Sequence, residues 1–133
     1  MDNVVQFPSK GSSNLELQEL VGSNNRGVIS SWLTAEMRAR LRVRVLNLRK
    51  FNRAEWPKTQ FRYLGDGVWE IKWKSGKVQC RALGFDRNAY FVMVLGCTDK
   101  DNVYDPANCV DTAKRRKREV DRGEWTGIII FEP

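Results

Sequence analysis

Leu64-Gly65-Asp66-Gly67-Val68-Trp69-Glu70-Ile71-Lys72-Trp73-Lys74 is the stretch on which the fold turns. A glycine-rich turn opens it and strict alternation follows. In an extended chain successive side chains point to opposite faces. Trp69, Ile71 and Trp73 therefore share one face, and Glu70, Lys72 and Lys74 share the other. The first row can pack on a layer of helix, while the second projects charge from the opposite side. An ordinary half-buried antiparallel sheet with a wet outer face carries the same pattern. The strand alone leaves both readings open.

Working outward, Phe61–Leu64, Val68–Lys74, Lys77–Phe85 and Tyr90–Gly96 read as strands. They are separated by Gly65-Asp66-Gly67, Ser75-Gly76 and Asp86-Arg87-Asn88, the last two short enough for hairpin turns. An antiparallel meander is the expected result. Upstream, Thr34 can cap a helix that carries Glu36 in its first turn and runs to about Phe51, with Met37, Leu41, Val45 and Leu48 on one stripe. Arg40–Val45 also alternates with period two, but the length of the stripe and the lack of Gly or Pro favour a helix. Val28, Ile29, Trp32 and Leu33 suggest a shorter helix before it, completing a helical hairpin. Leu15–Leu20 suits either a first strand or a turn of helix.

Downstream, Pro106 stands near the start of a helix expected to run to about Arg122, where Gly123 stops it. Gly127–Phe131 is β-prone and can return to the sheet. The expected fold class is α+β, a helical hairpin packed on a twisted antiparallel sheet of about four to five strands, with a basic C-terminal helix. Residues 1–14, rich in Ser, Asn and Gly, read as a flexible N-terminal lead-in, and 15–133 as a single domain.

The chain holds 23 Lys and Arg against 16 Asp and Glu, a formal net charge of +7. Polyanions are the first partners such a charge suggests, since basic side chains release counterions condensed on phosphates. An anionic membrane surface or an acidic protein fits the charge equally. Histidine is absent, which removes serine–histidine and cysteine–histidine catalysis and leaves proton chemistry to Lys, Arg, Tyr, Asp or Glu. The three cysteines, Cys80, Cys97 and Cys109, form no CxxC motif and read as small buried apolar side chains. No stretch approaches the roughly 20 apolar residues of a membrane span, and residues 1–8 lack the basic and apolar regions of a secretory signal. A soluble, cytoplasmic protein is expected, with no metal and no cofactor.

Several residues stand out as candidates. Lys72 and Lys74 sit on the charged face of their strand, and Arg81 follows on the next one. Register decides whether Arg81 joins them. Should it do so, two amines and a guanidinium converge, a set able to hold a phosphate and supply a perturbed lysine as base. Otherwise Arg81 is a surface ion-pair partner. Lys114-Arg115-Arg116-Lys117-Arg118 is the densest positive run, with Lys114, Arg115 and Arg118 as nucleic-acid contacts; it also suits a solvated helix end. Arg38, Arg42 and Arg49 share a side of the first long helix, a second phosphate-binding or acidic-partner surface. Tyr104, close to Lys100 in the polar stretch Thr98–Pro106, is the aromatic residue most open to function. Asp99, Asp101 and Asp105 alternate there, without the glycine and distal glutamate of a calcium loop.

Taken in order, the Leu64–Ile71 motif, Arg81 and Phe85, the strand Phe91–Gly96, Lys100, Pro106 and a basic terminal helix resemble the HigB-like, phage-derived branch of the RelE/ParE toxin superfamily. The resemblance covers roughly residues 28–120. It implies a RelE-like fold with nucleic acid on the concave side of the sheet. It further implies a toxin of a toxin–antitoxin system that cuts messenger RNA on the ribosome without metal, restrained by a helix-turn-helix antitoxin. Position by position, Lys72 and Lys74 match strand lysines of the family, Arg81 its phosphate-binding arginine, Lys100 its loop lysine and Tyr104 its late tyrosine. Two positions depart from the pattern: Asp99 stands in place of a lysine, and Thr98 in place of a common arginine. The altered Cys97-Thr98-Asp99 segment leaves an alternative of another kind, a non-catalytic binding module of the same fold. Such a module would be a gyrase-poisoning ParE-like toxin or a phage-encoded inhibitor of a host complex.

Overall fold

The structure, a computed structural model, describes residues 15–133; the expected lead-in at 1–14 lies outside the described residues. In chain order the elements are β1 (Glu16–Val21), α1 (Ala35–Leu48), a short 3-10 turn (Arg53–Glu55), β2 (Phe61–Gly65), β3 (Val68–Ser75), β4 (Val78–Arg87), β5 (Tyr90–Lys100), β6 (Val103–Asp105), α2 (Cys109–Asp121) and β7 (Gly127–Ile130). The α+β class and the β2–β5 meander agree with the sequence reading. The sheet is larger than expected: seven strands in the order β2-β3-β4-β5-β1-β7, with β6 also paired to β5. β1 resolves as a strand parallel to β5, and β7 pairs antiparallel with β1. Among the described residues no helix is long and apolar enough to cross a membrane.

The helical hairpin is not formed, for a local reason. Glu19 on β1 is almost fully buried, and its carboxylate accepts from the Ile29 and Ser30 backbone N–H groups at 2.8 and 2.9 Å and from the Ser30 hydroxyl. Val28 N–H donates to the Leu20 carbonyl. These bonds pin Val28–Ser30 against β1 as turns, so only α1 develops as a regular helix in this region. A Cβ at Gly27 would lie 2.3 Å from the Glu19 carboxylate, so the turn requires glycine there. Thr34 then caps α1 through a hydrogen bond to Met37 N–H, as expected.

Alternation along the strands builds two cores. On one face Ile71, Trp73, Cys80, Ala82, Phe91 and Met93 pack with Leu41, Val45 and Leu48 of α1. Trp73 donates its indole N–H to the Met37 carbonyl, tying β3 to the helix. Trp32 meets Trp73 edge to face at 6.1 Å. It also lies so close over Gly96 that a Cβ there would come to 2.2 Å from its ring. On the other face Val68, Leu83, Phe85, Val92, Val94 and Cys97 pack with Cys109, Ala113 and Val120 of α2. The two helices therefore cover opposite sides of the sheet. Burying each apolar side chain contributes roughly 1.5–3 kcal/mol, and together they hold the strands rigid enough to fix the polar groups between them.

Candidate functional site

β3 and β4 pair so that Lys72 faces Arg81 and Lys74 faces Gln79. Directly opposed residues of a ladder point the same way. Register thus puts Lys72, Lys74 and Arg81 on one face, the face that α2 covers in part. Arg62 on β2 opposes Glu70 on β3, Asp99 on β5 opposes Gln79, and Tyr104 on β6 opposes Asp99. With strands about 4.8 Å apart, upright side chains on β2 and β6 of a flat sheet would stand about 19 Å from one another. The Tyr104 hydroxyl nevertheless lies 3.0 Å from Arg62 Nη2. The sheet must curl, and the polar side chains meet in its hollow.

At the centre is Glu70, a carboxylate with no exposure. It accepts from Arg62 Nε at 2.7 Å and from the Tyr104 hydroxyl at 2.8 Å, and Arg81 Nε lies 3.7 Å away. Burial of a lone carboxylate is costly unless it is paired and hydrogen-bonded, and two arginines and a phenol meet that need. The sequence reading counted Glu70 as part of an outward row of charge. In fact β3 has a wet outer face only towards its end, where Lys72 is half-buried and Lys74 exposed.

Arg81 is 4% exposed. Its Nη1 donates to the Cys80 carbonyl at 2.9 Å, and its Nη2 to Gln79 Oε1 at 3.0 Å and Asp99 Oδ2 at 3.1 Å. Asp99, the departure from the family pattern, is thus the counter-charge of Arg81. A guanidinium so enclosed is not presented to a ligand as the expected phosphate clamp. Lys72 is different. Its ammonium is pushed below the usual lysine value, first by partial burial and then by the charges of Arg81 and Arg62, with Glu70 and Asp99 pulling the other way. Tyr104 is shifted upward, by burial and by its bond to Glu70, against the weaker pull of Arg62. Its one proton is committed to Glu70, so it does not serve as a free acid.

Lys100, Arg38 and Arg42 are placed elsewhere. Tyr104 and Lys100 occupy a hairpin rather than a loop, turned at Asp101 and Asn102, both with positive φ. Lys100 opposes Val103, and alternation points it to the face opposite Tyr104. Arg38 and Arg42 ride on α1, across the sheet from Lys72. Arg38 stacks over the Phe131 ring at 4.6 Å and donates to the Glu132 carbonyl. Arg49, on the same side, donates to the Leu15 carbonyl at 2.7 and 3.0 Å. Two of these three arginines are therefore bonded to backbone carbonyls, and Arg42 is exposed between them.

On α2, Lys114 pairs with Asp66 at 3.3 Å and Arg115 with Glu119 at 3.4 Å, and Arg116 donates to the Val94 carbonyl. Of the helix's basic run, Arg118 is exposed and has no ion pair among the described residues. All three cysteines are buried and free. The Cys97 thiol is pushed far up by the adjoining Cys109 thiol and by burial, which removes it as a nucleophile at neutral pH.

Arg62 is not among the residues that the sequence marks for the site. A one-residue bulge hid it: β2 pairs Gly65 with Val68 but Tyr63 with Trp69. An unbroken ladder running back from Gly65–Val68 would put Tyr63, not Arg62, opposite Glu70.

Compared with known families, residues 31–118 match the family described as Phage derived protein Gp49-like (DUF891). No curated protein and no solved structure matches the chain.

Proposed function

Because the chain belongs to the phage-derived Gp49-like family, which sits among the RelE-like type II toxins, we propose that it is a toxin acting on messenger RNA at the ribosome, restrained by a partner antitoxin. The observation that carries this reading is the convergence of Arg62, Lys72, Glu70 and Tyr104 in one hollow of the sheet. Three cations, Arg62, Lys72 and Arg81, face two carboxylates, Glu70 and Asp99, so the hollow keeps a positive excess suited to one phosphodiester. The depressed ammonium of Lys72 enlarges its neutral fraction near pH 7, which suits a general base. In that role Lys72 takes the proton of a ribose 2′-hydroxyl. The 2′-oxygen then bonds to the adjacent phosphorus, the bond from phosphorus to the 5′-oxygen breaks, and the departing oxygen takes a proton from water. Exposed Lys74, next along the same face, extends the positive surface along the RNA strand.

A second reading, a toxin-like module that binds without cutting, is favoured by the enclosure of Arg81 and the commitment of the Tyr104 proton to Glu70. Either state leaves the transition-state charge with fewer donors than the family pattern supplies. The test is cleavage of a translated messenger by the purified protein, with Lys72→Gln alongside. The nuclease reading expects defined cuts that fall by two orders of magnitude or more in the variant. Intact transcripts at high protein, together with growth arrest, would move the conclusion to the binding module.

A further inference from the structure

The two arginines of the hollow differ in what they leave free. Arg62, Tyr104 and Glu70 close a ring: Arg62 Nε donates to Glu70 Oε2 at 2.7 Å, Arg62 Nη2 donates to the Tyr104 hydroxyl at 3.0 Å, and that hydroxyl donates to Glu70 Oε1 at 2.8 Å. A guanidinium has five N–H donors. The ring engages Nε and Nη2, the latter also 2.7 Å from Glu70 Oε2, and the two N–H groups of Nη1 have no partner among the described residues. The side chain is 44% exposed. Partial burial opposes its charge, but Glu70 and Tyr104 outweigh that cost. What results is a cation held through Nε and Nη2 by the protein, partly open to solvent, with Nη1 left to donate. Charge-assisted donors of this kind suit the oxygens of a phosphate. Arg81 is the reverse case, buried and turned inward on Cys80, Gln79 and Asp99.

We propose that Arg62, and not Arg81, is the residue that grips the phosphodiester of a single-stranded RNA, and that Glu70 and Tyr104 are positioning residues that aim it. This rests on the reading of the hollow as an RNA site, whether or not the RNA is cut there. Glu70 joins the ring's two other members and also neighbours Arg81, so one buried carboxylate sets the direction of the exposed cation. Lys72, two residues along β3 on the same face, supplies the second positive charge.

The test uses the full chain and a fluorescent single-stranded RNA oligonucleotide with 2′-deoxy sugars in place, so that binding is read without cleavage. R62A is expected to weaken binding at least tenfold and to lower the slope of affinity against salt by about one phosphate contact, with a melting temperature within a few degrees of the wild type. R62K is expected to recover only part of the affinity, because an ammonium cannot bond Glu70 and Tyr104 at once and still present a donor in a fixed direction. E70Q is expected to weaken binding severalfold although both arginines remain. In E70Q the Tyr104 phenol, isolated by difference against Y104F, should also ionise at lower pH, a signature that general loosening of the fold does not produce.

Wild-type affinity and salt slope in R62A would overturn the proposal, as would failure of the wild type to bind the oligonucleotide. Full affinity in R62K would overturn a grip specific to the guanidinium. The nuclease reading fails separately. A wild type that leaves translated messages whole, yet binds RNA in an Arg62-dependent way, removes cutting and keeps this assignment; a wild type that cuts equally well as R62A does the opposite.

Discussion

Two glutamates are buried on opposite faces of the sheet, Glu19 at 2% exposure and Glu70 at 0%, and they serve different ends. Glu19 is bonded to neutral donors within 11 residues of itself, the Ile29 and Ser30 amides and the Ser30 hydroxyl. Its partners lie on a single turn, and its effect is to fasten that turn to β1. Glu70 is reached by Arg62 on β2, Arg81 on β4 and Tyr104 on β6. Those groups are brought together only by the finished sheet. A carboxylate satisfied by the neutral donors of one turn fixes that turn. One satisfied by cations from several strands fixes a constellation and leaves charge at its rim. The buried acid that gathers exposed basic groups is therefore the one to connect with ligand binding.

The largest expected effect is on the charged side of this comparison. Arg81→Ala leaves Glu70 and Asp99 without their enclosed cation, and breaking a buried pair in this way costs roughly 3–5 kcal/mol. Urea unfolding measures it. A loss below about 1 kcal/mol would mean that Arg62 alone balances the hollow, and the distinction between an inward and an outward arginine would have to be given up. Glu19→Ala comes next. It strips the acceptor from the buried Ile29 amide, a group whose loss of partner costs about 1–3 kcal/mol, and from the Ser30 amide and hydroxyl, which water can reach. Its RNA affinity should match the wild type once folded, since Glu19 lies across the sheet from Lys72. Reduced affinity in a folded Glu19→Ala protein would break the separation of roles. Gly27→Ala presses a methyl on the Glu19 carboxylate and should cost about 1–3 kcal/mol by overpacking, again read as a shift in the urea midpoint.

Much of this arrangement can be read from sequence, and the unread parts have definite physical causes. The alternation of Trp69, Ile71 and Trp73 against Lys72 and Lys74 gives the two faces of β3, because a period of two leaves no other choice. The stripe Met37, Leu41, Val45 and Leu48 gives α1 and its inward side. Glu70 carries no local sign of burial: its enclosure comes from Arg62, Arg81 and Tyr104, which stand on three other strands. The helical expectation at Val28–Leu33 yields only turns, with the Ser31 and Leu33 amides bonded to the Gly27 and Ile29 carbonyls. This is because the segment is fastened to β1 by Glu19 at one end and meets the Thr34 cap of α1 at the other. Arg62 escaped notice because a bulge near Leu64 changes which face it occupies. Arg38 and Arg49 keep a helical spacing that resembles a binding rail, yet the carbonyls of Glu132 and Leu15 take their donors. Charge runs announce cations; only tertiary partners show which of them are spent.

The smallest expected effect separates the two regions by pH. Tyr104 in the folded state ionises above its ordinary value of 10.0, through burial and its bond to Glu70, whereas Glu19 has no phenol beside it. Between the unfolded and folded values the unfolded chain releases a proton that the native protein keeps. The stabilisation from Tyr104 is thus complete below about pH 10 and is lost as pH rises from there toward the folded value. Lys72 works in the other sense, because its depressed ammonium makes the native state lose a proton before the unfolded chain does. Lys72 is present in both proteins of the test, and so are Glu70 and Arg62, which face the phenol. Urea midpoints at pH 9, 10 and 11 should therefore fall more steeply for the wild type than for Tyr104→Phe, by no more than about 1.4 kcal/mol per pH unit, the most one proton can give. The same difference should shrink when Glu70→Gln is added, since the amide withdraws the charge that holds the phenol neutral, and should persist unchanged when the second substitution is Glu19→Gln. Equal slopes in wild type and Tyr104→Phe would remove the phenol from the ring, leaving Glu70 joined to its arginines alone.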